Sequence, residues 1–344
     1  MSQLLVSYRY PSQFRPQNSA WRDAILGVAA FSGEPAIDDI FGVHVSAVHT
    51  PVLGQADDLL EVWRSTRPVS SGMSGAVYYR HDDQLLFGSL ELAESDYAVS
   101  RPGDPSTPLQ LATEFAFKQI FASIDVLGFP HLLRVWNYLA DINQESQGLE
   151  RYRQFNIGRQ EGFVAAGRSL ERNLPSACAL GVSGGPLVIY FMAGRSEPIA
   201  VENPRQVSAF HYPVAYGPKS PSFSRASIVR VGDQEMLFVS GTSSIVGHRS
   251  VHVGDVVAQT HETLLNIEAV VNEANRLARR PEFDCATLCF KVYLRRPEDR
   301  DAVHATLVRA LGADINALYL QADVCRHDLL VEIEAIGGIP ADTD

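Results

Sequence analysis

Leu329-Leu330-Val331-Glu332-Ile333-Glu334-Ala335-Ile336 reads as a β-strand with two unlike faces. Side chains alternate along a strand, so Val331, Ile333 and Ala335 point one way while Glu332 and Glu334 point the other. Paired carboxylates on a solvated strand face cost little, and alone the segment fits that ordinary arrangement. On a face that lines a cleft they cost desolvation, and proton chemistry is then the expected reason for them.

The elements leading into this strand occur twice. Between Ile228 and Ile336 the pattern predicts a strand (Glu235 to Ser240), a long helix (Val256 to Ala278), a strand (Thr287 to Leu294), a helix (Arg300 to Leu311) and two closing strands. Residues 75–195 run in the same order. Val77 to His81 and Gln84 to Leu92 form a hairpin around Asp82-Asp83, and Pro108 to Leu127 is a helix with Phe117, Ile120, Phe121 and Ile124 at helical spacing. Leu132 to Leu139 is then a strand, Leu149 to Ala166 a helix, and Ala177 to Ala193 a hairpin turning at Gly184-Gly185.

Two ββαβαβ units predict an α+β fold in which paired helices cover one face of each mixed sheet. The other face must be buried by the companion unit, and a cleft between the units is the natural binding site. The expected division is an N-terminal extension over 1–70, a first unit over 71–205 and a second over 206–344, joined through the Pro-, Ser- and Gly-rich stretch 196–224.

Composition restricts the function. The 344 residues are 46% hydrophobic and 20% charged, ordinary for a globular enzyme. A formal net charge of -11 argues against nucleic acid as a partner, because phosphate contacts need clustered Lys and Arg. A small anionic substrate stays compatible, since a few local arginines outweigh a global field. No apolar run reaches the length of a membrane span and the N-terminus lacks a basic leader, so a cytoplasmic location is expected. Cys178, Cys285, Cys289 and Cys325 make no disulfide framework at this length. Cys285 and Cys289 have no second Cys/His pair at metal spacing, and no Walker loop or Rossmann glycine fingerprint appears, so neither a metal nor a cofactor is expected.

Gly181-Val182-Ser183-Gly184-Gly185 matches the G-x-S-x-G elbow of serine hydrolases, but the following PLVIYFM run reads as a strand where the elbow needs a helix. His248 and His252, four apart, lack the acid-flanked helix of a metal site. Tyr152 and Arg159, seven apart, share one helix face, which suits either plain solvation or, as a phenol beside a guanidinium, a carboxylate. The aromatic, proline-stiffened run from His211-Tyr212-Pro213 through Tyr216-Gly217-Pro218 to Phe223-Ser224-Arg225 suits either a pocket wall or a packed loop.

The second unit resembles the RidA/YjgF family in Gly217-Pro218, Phe223-Ser224-Arg225-Ala226, Phe238-Val239-Ser240-Gly241, Gln259 with Asn266, Lys291-Val292-Tyr293-Leu294 and Val331 to Ile336. That family's carboxylate-binding arginine is unmatched, Ala317 falling near its place, which argues against simple imine deamination. Residues 130–336 more narrowly resemble the chorismatases, through Trp136-Asn137-Tyr138, Tyr152-Arg153 with Gly158-Arg159, Glu202-Asn203-Pro204, His211-Tyr212-Pro213, Gly247-His248-Arg249 and Asp328 to Glu334.

The resemblance implies that Glu332 protonates the enolpyruvyl methylene of chorismate, and that Tyr152, Arg159, Tyr212 and Arg225, with Tyr216, hold its carboxylates. It further implies that Cys325 and the Ser240-Gly241-Thr242 run mark the lyase branch, which makes 3-hydroxybenzoate, and not the hydrolytic branch. A thiol or thiolate there could steer an arene-oxide-like intermediate to an aromatic product. The likeness is nearest to the subgroup that also makes 4-hydroxybenzoate, for xanthomonadin pigment and ubiquinone. RidA relatives are trimers, but a fused chain already buries such surfaces, so monomer and trimer both fit.

Overall fold

The computed structural model describes residues 4–11, 19–32, 39–40, 42–55, 58–97, 106–280 and 282–340. Three sheets organise it. The first consists of β1 (Leu4–Arg9), β2 (Ile25–Phe31), β3 (Ser46–Val48) and β4 (Leu59–Ser65), in spatial order β1-β4-β2-β3. The second holds β5 (Ser70–Ser74), β6 (Val77–His81), β7 (Leu85–Leu92), β8 (His131–Ala140), β9 (Ser176–Val182) and β10 (Leu187–Gly194), in order β9-β8-β10-β7-β6-β5. The third holds β11 (Ile199–Val201), β12 (Ala226–Val231), β13 (Gln234–Thr242), β14 (Cys289–Leu294), β15 (Asn316–Gln321) and β16 (Val331–Gly337), in order β11-β12-β13-β16-β14-β15.

Helices α1 (Pro108–Val126) and α2 (Arg151–Ala165) belong with the second sheet, α3 (Val256–Leu277) and α4 (Arg300–Leu311) with the third. Local chemistry starts them where the pattern predicts. The Thr107 hydroxyl accepts from Gln110 N ahead of Pro108, and the Asp255 carboxylate accepts from Ala258 N.

The repeat is present in the strand order itself. Run β9-β8-β10-β7-β6 corresponds element for element to β15-β14-β16-β13-β12, with β8/β9 and β14/β15 the parallel pairs. Each unit is therefore ββαβαββ, one strand more than ββαβαβ. The expected hairpin from Ala177 to Ala193 is not one. β9 and β10 do not pair; β8 lies between them, parallel to β9 and antiparallel to β10. Alternation reports which face a side chain takes and says nothing of which strand is its neighbour. Gly184-Gly185 still makes a turn between strands, and Ser183 on it is exposed, with no helix following.

Each sheet buries one face under its helices. Phe117, Ile120 and Phe155 pack on Leu86, Val135 and Ile189; Ile267, Val270 and Val271 pack on Val331, Ile333 and Ala335. The opposite faces converge on a single core in which Trp136 and Tyr190 of the second sheet meet Phe238 and Ile336 of the third, and Phe31 and Trp63 of the first. The Trp63 ring lies 5.9 Å from Trp136 and 6.2 Å from Phe238. The companion unit thus covers only part of the inward face; the N-terminal sheet supplies a third wall.

Candidate active site

The two carboxylates of β16 enter different surroundings. Glu334 accepts from Trp136 Nε1 at 3.0 Å, pairs with Arg134 and lies 2.8 Å from Lys291 Nζ. Burial would raise its pKa, but Lys291 and Arg134 hold it below the usual carboxylate range. Glu332, 4% exposed, opens onto a cavity of about 420 Å³ between the two units. Burial first, and the Glu334 charge second, push its pKa up to about 8, against smaller opposing contributions from Arg134 and the Ser243 hydroxyl. Near neutrality Glu332 is therefore a carboxylic acid beside a carboxylate.

A bulge creates the space for it. Pairing between β13 and β16 runs to Val239↔Ala335 and resumes at Thr242↔Ile333, leaving Ser240-Gly241 out of register. Gly241 packs against the Glu332 carboxyl; a Cβ there would stand 1.9 Å from Oε1. Serine hydroxyls hold the two units together at this seam. Ser240 Oγ accepts from Ala177 N at 2.9 Å and donates to Ser224 O at 2.6 Å, and Ser227 Oγ accepts from Ser176 N at 2.9 Å.

Opposite Glu332 the cavity is phenolic and cationic. Tyr152, Tyr212, Tyr216, Arg225, Cys325 and Gly241 all line it. Arg159 sits one layer back, on the Tyr152 face of α2, with its guanidinium 5.8 Å from the Phe223 ring centroid; Arg225 lies 5.3 Å from the same ring. Arg225 Nη2 donates to Tyr212 Oη and Val207 O, each at 2.8 Å, while Arg225 Nε and Arg159 Nη2 are buried with no hydrogen-bond partner in the protein. Burial lowers the Arg159 pKa to about 10, which leaves it charged, and raises that of the Tyr152 phenol. The Glu202 carboxylate partly offsets Arg225, and the unpartnered donors of the two guanidiniums behind aromatic rings suit a carboxylate.

Cys325 belongs to a clamped loop. Arg295 donates to the carbonyls of Val324, Arg326 and Leu329, pairs with Asp323 and reaches Asn143 Oδ1 of the first unit at 2.9 Å. Gln259 accepts from Leu330 N and donates to Asp328 O. Burial, with Glu332 close by, pushes the Cys325 pKa up to about 12, so the group is a neutral thiol and not a thiolate.

Sequence reasoning missed Arg326, which also lines the cavity. Its guanidinium lies 4.1 Å from the Tyr216 ring and 5.2 Å from the Tyr212 ring, and its Nη2 is buried without a partner in the protein. The only signal was an arginine beside Cys325, and one such residue in 29 Lys and Arg is no signal. Among the described residues no group of three or more His, Cys, Asp and Glu could hold a metal, and no helix is long and apolar enough to cross a membrane.

A chorismatase of Streptomyces hygroscopicus is 34% identical over 320 residues, covering 91% of this chain and 89% of its own. The chain belongs to the chorismatase family. A 3-hydroxybenzoate synthase from the same organism is 36% identical over 292 residues, 82% of each chain. A chorismatase crystal structure aligns over 97% of this chain and 98% of its own with a TM-score of 0.85 at 31% identity. The family model described as "Chorismatase FkbO/Hyg5-like, N-terminal" matches residues 61–193. That span runs from β4 to β10, so the chorismatase match includes strand residues of the first sheet as well as Tyr152 and Arg159.

Proposed function

We propose that this cavity cleaves chorismate to 3-hydroxybenzoate and pyruvate, with 4-hydroxybenzoate as a second product, as a carbon–oxygen lyase. The observation that carries the reading is a buried carboxylic acid, Glu332, held near neutral pKa across a cavity from the Arg159/Arg225 pair. Chorismatase and 3-hydroxybenzoate synthase relatives support the same substrate class. The lyase branch rests on the likeness at Cys325 and at Ser240-Gly241-Thr242, the second product on the likeness to the subgroup that makes both acids, and the RidA/YjgF-like fold on the motifs of the second unit.

In this reading Arg159 and Arg225, with Tyr152, Tyr212 and Tyr216, grip the substrate carboxylates and turn the enolpyruvyl methylene toward Glu332. Glu332 gives its proton to that carbon, and positive charge develops on the ether carbon as an oxocarbenium. The substrate's own 4-hydroxyl oxygen bonds to the ring carbon that carries the ether as that ring C–O bond breaks and pyruvate leaves; the hydroxyl proton returns to Glu332, and the arene-oxide-like intermediate opens to the phenol, its oxygen gaining a proton as the ring carbon loses one. The atoms of chorismate equal those of hydroxybenzoate plus pyruvate, so no water is consumed. Cys325, as a neutral thiol at the cavity wall, stands where an arene-oxide-like intermediate would open. In this division residues 71–205 supply Tyr152 and Arg159, and 206–344 supply the acid.

Incubation with chorismate and chromatography of the products tests this. Pyruvate with hydroxybenzoate is expected. A dihydrodiol as main product moves the chain to the hydrolytic branch, and unchanged chorismate overturns the reading in favour of a binding protein of RidA type.

A further inference from the structure

A buried ionic chain joins the N-terminal sheet to the acid strand. Glu61 on β4 lies 3.0 Å from Lys291 Nζ, and Lys291, on β14, lies 2.8 Å from Glu334 Oε1. Arg134 on β8 completes it. Each of the three sheets contributes at least one charge, and all four side chains are at most 2% exposed. Two carboxylates and two cations leave the cluster neutral. The polar groups around it are phenols: Tyr8 donates to Glu61 Oε1 at 3.2 Å and Tyr190 to Oε2 at 3.3 Å, while Tyr138 and Tyr293 hydrogen-bond each other at 2.9 Å. The thiol of Cys178 lies between this cluster and Gly241.

We infer that Glu61 and Lys291 are positioning residues for the reaction: through Glu334, two positions along β16 from Glu332, they set the charge that the catalytic acid faces. The inference rests on the role proposed for Glu332. Glu334 keeps its negative charge only because Lys291 and Arg134 face it, and Lys291 is shared with Glu61. Around Glu332 itself stand Glu334, Arg134, Cys178, Cys325 and Tyr152, with Arg225 and Arg326 across the cavity; none of these is supplied by the N-terminal sheet, whose charge, Glu61, reaches the acid strand through Lys291. The N-terminal strands, which supply none of the described residues lining the cavity, thereby gain a function in catalysis.

The sign is opposite for the two residues. Glu61→Gln removes a negative charge, leaves the cluster net positive and favours ionised Glu332, so the basic limb of the kcat–pH profile moves down by about one pH unit, the size expected for one charge at this range. Lys291→Gln leaves the cluster net negative, and the limb moves up. A purely structural role lowers activity evenly across pH and moves neither limb. Should one variant fail to fold, the other carries the test, since each has its own expected direction of shift. Limbs that coincide with wild type in folded variants overturn the inference. Glu332→Gln assayed in parallel separates the two ideas: if it turns over normally the proposed function of Glu332 fails, whereas an inactive Glu332→Gln with unmoved limbs removes only Glu61 and Lys291.

Discussion

Gly241 and Glu332 are in such close contact that a methyl group on the glycine would occupy the space of the carboxyl oxygen, 1.9 Å from Oε1. The same methyl would stand 3.1 Å from Cys178 Cβ, so making room for it means moving the carboxyl from its place toward the cavity. Gly241→Ala is expected to lower kcat at least about tenfold and to cost about 1–3 kcal/mol of stability, the range for an added methyl in a packed interior. Steady-state kinetics and thermal unfolding measure both; an unaltered kcat would mean that the position of the carboxyl is not critical.

Glu332→Gln keeps the shape and removes the transferable proton. Turnover should fall by about a hundred- to ten-thousand-fold, the span of general acid catalysis, while product affinity stays within a few-fold. Calorimetric titration with 3-hydroxybenzoate alongside the chorismate assay tests this pair of outcomes.

The pH dependence follows from the same group. Its acid form is the active one, so activity should hold through neutrality and fall as pH rises through about 8. Stability has a matching slope. The folded protein keeps a proton that the unfolded chain releases above about 4.5, so this group's contribution declines as pH rises from there to about 8, and Glu332→Gln should flatten that decline. Denaturation at several pH values reads it directly.

Much of this site could be read in the sequence, for a physical reason. Period-two alternation fixes facing, so Glu332 and Glu334 had to share a face opposite Val331 and Ile333, and they do. Tyr152 and Arg159 followed from helical spacing in the same way. Pairing is a different matter. It depends on partners distant in the chain, and Ala177 to Ala193 were misread because nothing local reveals that β8 intervenes. The N-terminal strands were opaque for the converse reason. Ile25 to Phe31 are all buried, so no alternation marks them as a strand. Lys291 and Glu61, 230 residues apart, carry no local sign of their pairing.

Arg225→Gln removes the charge that faces the cavity while retaining a polar group. The KM for chorismate should rise roughly 10- to 100-fold, the cost of a lost charged hydrogen bond, with a smaller change in kcat. An unchanged KM would assign carboxylate recognition elsewhere, and Arg326, stacked on Tyr216 with a free Nη2, is the next position to substitute.

Cys325→Ala leaves a small, inert wall where the thiol stood. Products should shift from hydroxybenzoate toward dihydrodiol, read as a chromatographic ratio with total pyruvate release preserved. A constant ratio would end the proposed role of the thiol.

The meeting of three unlike sheets in one core has an evolutionary corollary. In a ring of identical subunits every substitution is repeated at every seam, so a change that improves one pocket must be tolerated by its copies. Here each wall is encoded separately. One seam is free to specialise around Glu332 and another to hold Glu61 against Lys291, with no copy of either change imposed elsewhere.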